Sequence, residues 1–438
     1  MQTLLQEQAD VSLTPDLGHE MHQFIAQLFP LCRSITGAGT LDTLKLIKEF
    51  IPIQIHSVAT GTRVYDWTVP KEWNIRDAYI KDGAGRRIVD FKKSNLHVVS
   101  YSVPVQAKLF LRELKPHLHS LPDQPDLIPY RTSYYQEEWG FCLTHNQLEA
   151  LHENELYEVC IDSSLEPGQM HYGEMVLKGE SDDEVLISTH ICHPSMCNDN
   201  LSGIAVAAFL ASRLMGTTHR YSYRFLFSPA TIGPITWLAR NEAVVGRIRH
   251  GLVAALLGND APFTYRRSRM GNAAIDEVAT YVLSQLKDSR VFDFEPYGYD
   301  QRQFCSPGTN LPVGSLTRSL YGEFPEYHTS ADNLDFVTAG SLEQSLHIYE
   351  RIVHILEHDR MYINLSPKTE PQLGRRGLYN GIGGDSHKNE FQRGLLWVLN
   401  FSDGDHTLLD IARRSAIRFE TLAVAASRLE QAGLLAKK

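Results

Sequence analysis

The sequence predicts an α/β protein with a mixed, mostly parallel sheet sandwiched by helices, a β-rich insert and a C-terminal winged helix-turn-helix. Between residues 126 and 360, apolar strand patterns alternate with helical patterns, which is typical of a sheet covered by helices. Between 56 and 125 the apolar runs are short and alternating, which favours a separate β-rich insert. Residues 388–438 have the pattern of two helices joined by a turn, which indicates a helix-turn-helix.

The alternating region sets the predicted domain boundaries. Residues 16–52 have apolar side chains at helical spacing on either side of a turn at Ser34, and strand candidates follow later in the chain. These candidates are short and rich in β-branched and other apolar residues: Leu156–Ile161, Val185–Ser188, Tyr223–Ser228 and Gly251–Leu257. We predict a discontinuous main domain of residues 16–55 and 126–366, which is interrupted by an insert of residues 56–125.

The carboxyl-terminal part of the chain has a composition of its own. A glycine-rich stretch at 374–384 predicts a linker, and residues 385–438 predict the winged helix-turn-helix. Residues 371–438 hold ten Lys and Arg against seven Asp and Glu. This mild excess is not the basic stripe that nucleic acid requires, so the sequence disfavours DNA binding. Docking or homo-oligomerisation through this domain or the insert is the alternative prediction.

Composition excludes several classes of protein. The chain has 438 residues, 43% of them hydrophobic and 21% charged, with a formal net charge of −10. That charge argues against nonspecific binding to nucleic acid or to an anionic membrane. No apolar run of about 18 residues is present, and the amino terminus lacks a signal-peptide pattern. Six cysteines in so long a chain do not indicate a disulfide framework, so we predict a cytoplasmic protein with reduced thiols.

One short segment carries most of the chemistry. From Leu186 to Gly203, two histidines, two cysteines and an aspartate lie in a turn between an apolar strand and an apolar helix. In α/β sheets, ligands and metals bind in loops at the carboxyl ends of strands. Two later loops also place polar groups after strands, Asp260 in one and His328 in the other. These loops predict a convergent site.

Four sequence motifs resemble the zinc aminopeptidase clan, which includes bacterial leucyl aminopeptidases and glutaminyl cyclases. They are Thr189–Pro194, Asn198–Gly203, Thr231–Gly233 and Tyr321–Leu334. More narrowly, they are similar to the branch often named as polysaccharide-biosynthesis proteins, with a β-rich insert and a C-terminal winged helix. The resemblance covers nearly the whole chain. It implies that the main domain is an aminopeptidase-like catalytic domain.

The resemblance also implies a set of metal ligands. His190, Asp199, Asp260 and His328 occur in the order of the clan's ligands, and they would bind one or two Zn²⁺ ions. Imidazole nitrogen and carboxylate oxygen are ordinary zinc ligands, and one carboxylate can bridge two ions. Cys192, His193 and Cys197 are interpreted as structural support for the loop or, alternatively, with His190 as a Cys/His zinc knuckle.

One position departs from the clan. Where the clan has a Glu–Glu pair, this chain has Ala230–Thr231, so the expected general base and one carboxylate ligand are missing. Amide hydrolysis needs a group that takes the proton of the attacking water. We predict Glu326, ahead of Glu323, as the catalytic replacement. Asp300 and His193 are further candidates for the base or for an additional ligand.

Two arginines are candidates for substrate binding. Arg302 and Arg318 each follow a turn that leads toward the predicted site, and a guanidinium group binds a carboxylate with two hydrogen bonds. Asp300, close to Arg302 in the chain, is predicted with them as a substrate-binding residue. Ordinary salt bridges are the alternative explanation for both arginines.

The function hypothesis follows from these residues and from the resemblance. It is a zinc metallohydrolase of aminopeptidase type with a non-standard general base, which cleaves an amide bond in a small peptide or an aminoacyl-modified metabolite. The insert is predicted to restrict the site to small substrates. The alternatives are a catalytically weakened metal-binding protein that recognises a peptide or sugar precursor, and a ligand-sensing regulator that uses its winged helix.

Overall fold

A computed structural model describes residues 17–379 and 386–438. Its contacts divide the chain into two compact units. The first contains the residues up to Asp276 together with Leu286–Tyr349, and the second contains Glu277–Gln285 together with Glu350–Lys438. The amino-terminal segment and residues 380–384 of the predicted linker lie outside the described residues.

The helices and strands of the first unit alternate along most of its length. Up to residue 190 they are α1 (Leu17–Leu28), α2 (Ala38–Phe50), β1 (Gln54–Ala59), β2 (Arg63–Val64), β3 (Trp67–Thr68), β4 (Glu72–Lys81), β5 (Arg87–Asp90), β6 (Val105–Phe110), α3 (Leu111–Leu114), β7 (Leu118–His119), β8 (Phe141–Cys142), α4 (His145–Glu149), β9 (Leu156–Glu166), β10 (Gln169–Leu177) and β11 (Glu184–His190). From residue 202 they are α5 (Ser202–Leu214), β12 (Ser222–Ser228), α6 (Ile232–Arg240), α7 (Glu242–Val245), β13 (Ile248–Ala254), β14 (Thr264–Arg266), α8 (Ala274–Leu283), β15 (Arg290–Phe292), α9 (Gln301–Phe304), β16 (Val313–Thr317) and α10 (Ala339–His358).

An eight-stranded sheet forms the centre of this unit. Its strand order is β1-β10-β12-β11-β13-β16-β14-β15. The four central strands β12, β11, β13 and β16 are parallel, and β1, β10 and β14 pair antiparallel with their neighbours. All residues of β11, β12 and β16 are buried, as expected for parallel strands covered on both faces. The predicted fold class is confirmed.

One face of the central sheet packs against α6 and α9. Leu186, Leu226 and Val253 of the strands form a core with Ile235 of α6 and Phe304 of α9. Full burial of one such side chain stabilises the fold by about 1.5–3 kcal/mol. The central strands are therefore held in a fixed position. Because these strands are parallel, the loops after their carboxyl ends share one edge of the sheet.

A second, antiparallel sheet of four strands has the order β5-β4-β9-β6. The predicted strand Leu156–Ile161 lies here, as part of β9, and not in the central sheet. Its buried and partly buried residues alternate, which is the pattern of a strand with one covered face. β1 belongs to the central sheet, and the domain boundaries given above stay a prediction.

The second unit contains three helices and three strands besides the end of α10. They are β17 (Met361–Asn364), α11 (Ser386–Phe401), β18 (Asp403–Thr407), α12 (Leu408–Ser415), α13 (Phe419–Gln431) and β19 (Leu435–Lys437). β17 pairs antiparallel with β18 and β19. Thr407 caps α12, since its hydroxyl accepts the Asp410 N–H while the Asp410 carboxylate accepts the Thr407 N–H. The helices and strands occur in the order of a winged helix-turn-helix.

The lengths and composition of the helices also bear on membranes. None of the helices in the described part of the chain combines the length and the apolar character needed to cross a bilayer.

Candidate metal centre

Three imidazoles and one carboxylate come together at the carboxyl edge of the central sheet. His190 is the last residue of β11, and its Nε2 lies 2.8 Å from Asp199 Oδ1. From the loop after β16, His328 Nε2 lies 2.9 Å from Asp199 Oδ2. The Asp199 side chain is 2% exposed. The structure thus brings together three of the four residues that the resemblance implied as ligands.

His193 is a fourth member that the sequence interpretation placed in a supporting role. Its Nδ1 lies 3.1 Å from His190 Nε2 and 3.5 Å from Asp199 Oδ1. The ligand atoms of His190, His193 and Asp199 all lie within 4.8 Å of one another. The signal in the sequence was its position three residues after a ligand in the same loop, but spacing in a loop does not fix the direction of a side chain.

The loop that carries Asp199 is held by hydrogen bonds from buried groups. The Asp332 carboxylate accepts the main-chain N–H of Asn198 at 2.5 Å and that of Asp199 at 2.9 Å. Arg33, which is 1% exposed, donates from Nε to the main-chain oxygen of His193 at 2.8 Å. Such outer contacts fix the orientation of metal ligands. Asp332 therefore supports Asp199, one of the two roles considered for it.

Burial and charge determine the protonation of the centre. Burial alone would raise the pKa of Asp199, but the neighbouring His193, His190 and His328 hold it well below its ordinary value. Burial lowers the pKa of His193 to about 4. His193 is therefore neutral at physiological pH, and a neutral imidazole beside an ionised carboxylate is the form that binds a metal ion.

The backbone is strained in each of the four loops at this edge of the sheet. Ser195, Thr231, Leu256 and His328 all have positive φ angles, of 43°, 62°, 52° and 55°. Residues other than glycine rarely adopt this conformation, and it is concentrated at functional sites. Each of the four loops follows one of the parallel strands, and the strained residue in the last of them is His328 itself.

Asp260 is not part of this cluster, contrary to the prediction. β13 ends at Ala254, six residues earlier, and Asp260 is exposed. Its carboxylate accepts hydrogen bonds from the hydroxyls of Thr338 (3.2 Å) and Ser341, at the start of α10. The loop before it is fixed by side chains of the ligand loop, because the N–H groups of Leu256, Leu257 and Gly258 donate to Asn200, Ser202 and Asn198. The predicted interval was correct in sequence but too long in space.

The two predicted catalytic glutamates lie in different surroundings. Glu323 is exposed and forms an ion pair of 2.7 Å with Arg290, so the structure does not bring it to the histidines. Glu326 is half-buried, and its main-chain oxygen accepts the N–H of Thr329 at 3.1 Å. Tyr327, between Glu326 and His328, stacks on the His328 ring at 3.9 Å. The ring of Tyr327, rather than a carboxylate, therefore covers this side of His328.

The two arginines also differ. Arg318 is 4% exposed, and its guanidinium donates to Ser345 Oγ, Ala261 O, Ser341 O and Gln344 Oε1. All its nitrogen atoms have partners in the fold, so it is a structural residue and not the predicted carboxylate-binding group. Arg302 donates from Nη2 to Thr231 Oγ1 at 3.3 Å, and its Nε is buried without a partner. Of the two, only Arg302 has donor capacity left for a ligand.

Asp300 lies beside Arg302 and contacts the turn that replaces the clan's Glu–Glu pair. It is buried, and its Oδ1 accepts the main-chain N–H of Thr231 at 2.8 Å. Burial raises its pKa above the ordinary value. The sequence interpretation noted Asp300 as a candidate, but it could not show which loop the carboxylate contacts.

The two cysteines of the loop pack outside the cluster. Cys192 and Cys197 are buried free thiols, and Cys192 Sγ accepts the N–H of Ala230 at 3.3 Å. Burial raises the pKa of Cys192 to about 12, so its thiol is protonated. Within the described residues, the group able to hold a metal ion contains no cysteine. This arrangement favours supporting thiols over a Cys/His zinc knuckle.

The donor set fits a zinc ion. His190, His193 and His328 offer three imidazole nitrogens, and Asp199 offers a carboxylate oxygen. These are ordinary zinc ligands, and four of them suit its tetrahedral coordination. The chemistry of the residues is therefore compatible with the metal that the resemblance implied.

Comparison with known sequences gives the same picture. Residues 22–359 match a family described as a domain of unknown function, DUF4910, and residues 360–437 match a winged helix-turn-helix family. A protein of Clostridium acetobutylicum is 51% identical over 421 residues, which is 96% of each chain. Its name assigns it provisionally to polysaccharide biosynthesis and gives it an aminopeptidase-like domain.

Solved structures extend the comparison to the fold. A C. acetobutylicum crystal structure, described provisionally as a peptidase, has a TM-score of 0.92 and 48% identity, and covers 100% of this chain and 99% of its own. The zinc aminopeptidase BSAP of Bacillus subtilis has a TM-score of 0.56 at 14% identity, over 77% of this chain and 95% of its own. A peptidase M28 precursor of Shewanella amazonensis has a TM-score of 0.54 at 12% identity, over 81% and 95%. The chain therefore belongs to the DUF4910 family, and it joins an aminopeptidase-like domain to a winged helix-turn-helix.

Proposed function

We propose that the protein is a zinc-dependent hydrolase that cleaves an amide bond in a small peptide or an aminoacyl-modified metabolite. The observation that carries the proposal is the convergence of His190, His193 and His328 on the buried carboxylate of Asp199. The aminopeptidase-like fold supports it, because zinc aminopeptidases share this arrangement of strands and loops. The name of the Clostridium relative suggests a precursor of a polysaccharide as the metabolite.

We further propose that the site holds one zinc ion. A second ion would need further carboxylates, and the two loops expected to supply them do not. Ala230–Thr231 has none, and Asp260 is bound to the hydroxyls of Thr338 and Ser341. A bound zinc ion supplies a lowered pKa for the attacking water and polarisation of the substrate carbonyl.

The protein side chains position this chemistry and limit the access of water. Asp332 fixes Asp199 through the main chain, and Arg33 fixes the main-chain oxygen of His193. The Tyr130 ring lies edge-on to the rings of His193 and His328, with centroids 5.1 Å away in both cases. Aromatic rings around the centre exclude water from the histidines, and this strengthens the electrostatic interactions there.

Metal analysis followed by an activity screen tests the proposal. The purified full chain is expected to contain about one zinc per protein and to hydrolyse at least one substrate in a panel of aminoacyl and dipeptide amides with added zinc. His190→Ala should lose both properties. His145→Ala is the matched control, because His145 lies in α4 and binds Ser120. Tight zinc binding without turnover of any amide, equal in wild type and His190→Ala, would contradict the proposal.

A second candidate is a catalytically weakened metal-binding protein that recognises a peptide or sugar precursor. The carboxylate-free turn Ala230–Thr231 favours it, because zinc aminopeptidase chemistry needs a base at this position. The same screen separates the two functions. A ligand that raises the melting temperature of the zinc-loaded protein, and that is recovered chemically unchanged, would favour the binding protein.

A further inference from the structure

The turn after β12 contacts a carboxylate from a distant part of the chain. Asp300 is 5% exposed, and it accepts the main-chain N–H of Thr231 at 2.8 Å. The preceding residue, Ala230, donates its own N–H to Cys192 Sγ at 3.3 Å. Cys192 lies two residues after His190 in the metal-binding loop. Two successive main-chain contacts therefore connect Asp300 to this loop.

The charge of Asp300 acts on the metal centre. Burial lowers the pKa of His190, but the carboxylates of Asp199 and Asp300 outweigh burial and raise that pKa above its ordinary value. Asp199 is itself a member of the cluster, so Asp300 is the further carboxylate that acts on His190. Its position matches the requirement for a base near the centre but outside the ligand set.

The residues next to Asp300 have unused hydrogen-bonding capacity. Gln301 is completely buried, and neither its Oε1 nor its Nε2 has a hydrogen-bond partner; Arg302 Nε is also buried without one. A buried polar group left unpaired costs about 1–3 kcal/mol. Such groups are retained where a ligand completes their hydrogen bonds. The segment 300–302 therefore has the properties of a wall that faces a substrate.

We propose that Asp300 transfers the proton in the amide hydrolysis and so replaces the carboxylates that are missing from Ala230–Thr231. This inference rests on the proposed function. The Asp300 carboxylate takes a proton from a water molecule while the water oxygen forms a bond to the carbonyl carbon. Asp300 then gives this proton to the amine nitrogen as the C–N bond breaks. One water is consumed, and a carboxylic acid and an amine are released.

A binding experiment tests the proposal without turnover. Acetohydroxamate loses a proton when it binds zinc, so a neighbouring base should strengthen its binding to the zinc-loaded protein. Asp300→Asn is expected to weaken the binding by about tenfold, or 1.4 kcal/mol, while the zinc content stays that of the wild type. Asp82→Asn is the matched control, because Asp82 is also buried and accepts main-chain N–H groups, but in the β4–β5 turn.

Kinetics test the same role with a substrate from the amide panel. Asp300→Asn should lower kcat by about 10²–10⁴-fold with little change in KM, which is the usual contribution of general acid–base catalysis. Asp300→Ala should lose a similar factor, and added formate should restore part of it, because formate can occupy the space of the lost carboxylate. A residue with a purely structural role would show no rescue by formate.

The outcomes separate the two proposals. Equal acetohydroxamate affinity in wild type and Asp300→Asn, or no binding to the zinc-loaded wild type, overturns the role of Asp300. Loss of zinc from Asp300→Asn also overturns it, since Asp300 would then be a ligand. Absence of amide turnover by the wild type, together with a hydroxamate affinity that depends on Asp300, counts against the proposed hydrolysis alone.

Discussion

The loops that follow β11 and β12 lie side by side, and they differ in chemistry. The two strands are parallel neighbours, and their register places His190 opposite Ser228. The loop after β11 is long and carries His193 and Asp199, both in the metal-binding cluster. The turn after β12 reaches α6 within three residues, Pro229 to Thr231, and has no titratable side chain.

The difference indicates that ligands and proton transfer are divided between parts of the chain. The loop after β11 supplies most of the metal ligands from one short segment. The turn after β12 supplies only main-chain N–H groups, which bind Cys192 on one side and Asp300 on the other. A turn without carboxylates can therefore still position a carboxylate from elsewhere. The predictions below test each side of this comparison.

The largest effect is expected at the centre of the ligand loop. Asp199→Asn keeps the size of the side chain but removes the charge that His190, His193 and His328 share. We expect zinc affinity to fall by more than about 100-fold, because second-shell changes alone reach that range. Competition with a chromophoric chelator measures the affinity. Asp162→Asn, at an exposed carboxylate paired with Arg76, is the control, and stoichiometric zinc in Asp199→Asn would refute the assignment.

The next test compares the unexpected member of the cluster with the excluded one. His193→Ala should weaken zinc binding by about 10–100-fold, as expected for loss of one of several ligands. Asp260→Ala should keep the wild-type affinity, because its carboxylate binds Thr338 and Ser341. Zinc titration by calorimetry measures both. The reverse result would restore the ligand set that the resemblance implied.

The buried imidazole of His193 also makes the metal-free protein sensitive to acid. Its pKa is about 4 in the folded state, lowered from 6.5 by burial. A depressed pKa gives stability that is present above pH 6.5 and is lost as the pH falls towards 4, by about 3 kcal/mol. Urea unfolding of zinc-free protein between pH 7 and 4 measures this loss. His193→Asn should flatten the profile in that range, and an unchanged slope would contradict the prediction.

The sequence was sufficient to predict the fold and the core of the site. Alternating strand and helix patterns gave the central sheet, and the segment from Leu186 to Gly203 gave the strand, the loop and Asp199. His328 was found because its motif resembles the clan. These features depend on local patterns and on the order of loops along the chain, and both can be read from a single sequence.

Other features depend on distances in space, which loop order does not fix. Asp260 follows β13 in the expected order, but the chain leaves the sheet at Ala254 and runs toward α10 before reaching it. β9 has the composition of a core strand, yet its pairing with β4 and β6 places it in the small sheet. The contact of Asp300 with Thr231 joins residues 69 positions apart, and no local pattern predicts it.

The smallest effect is expected at Glu323, and it sharpens the comparison by exclusion. Its carboxylate is 44% exposed and pairs with Arg290, which is 40% exposed. Exposed pairs of this kind contribute about 0–1 kcal/mol, so Glu323→Gln should change the free energy of unfolding by no more than that. Its kcat should stay that of the wild type under conditions where Asp300→Asn loses activity. A loss of kcat in Glu323→Gln as large as that in Asp300→Asn would move the proton-transfer role to the loop after β16, and the turn after β12 would then have no part in positioning it.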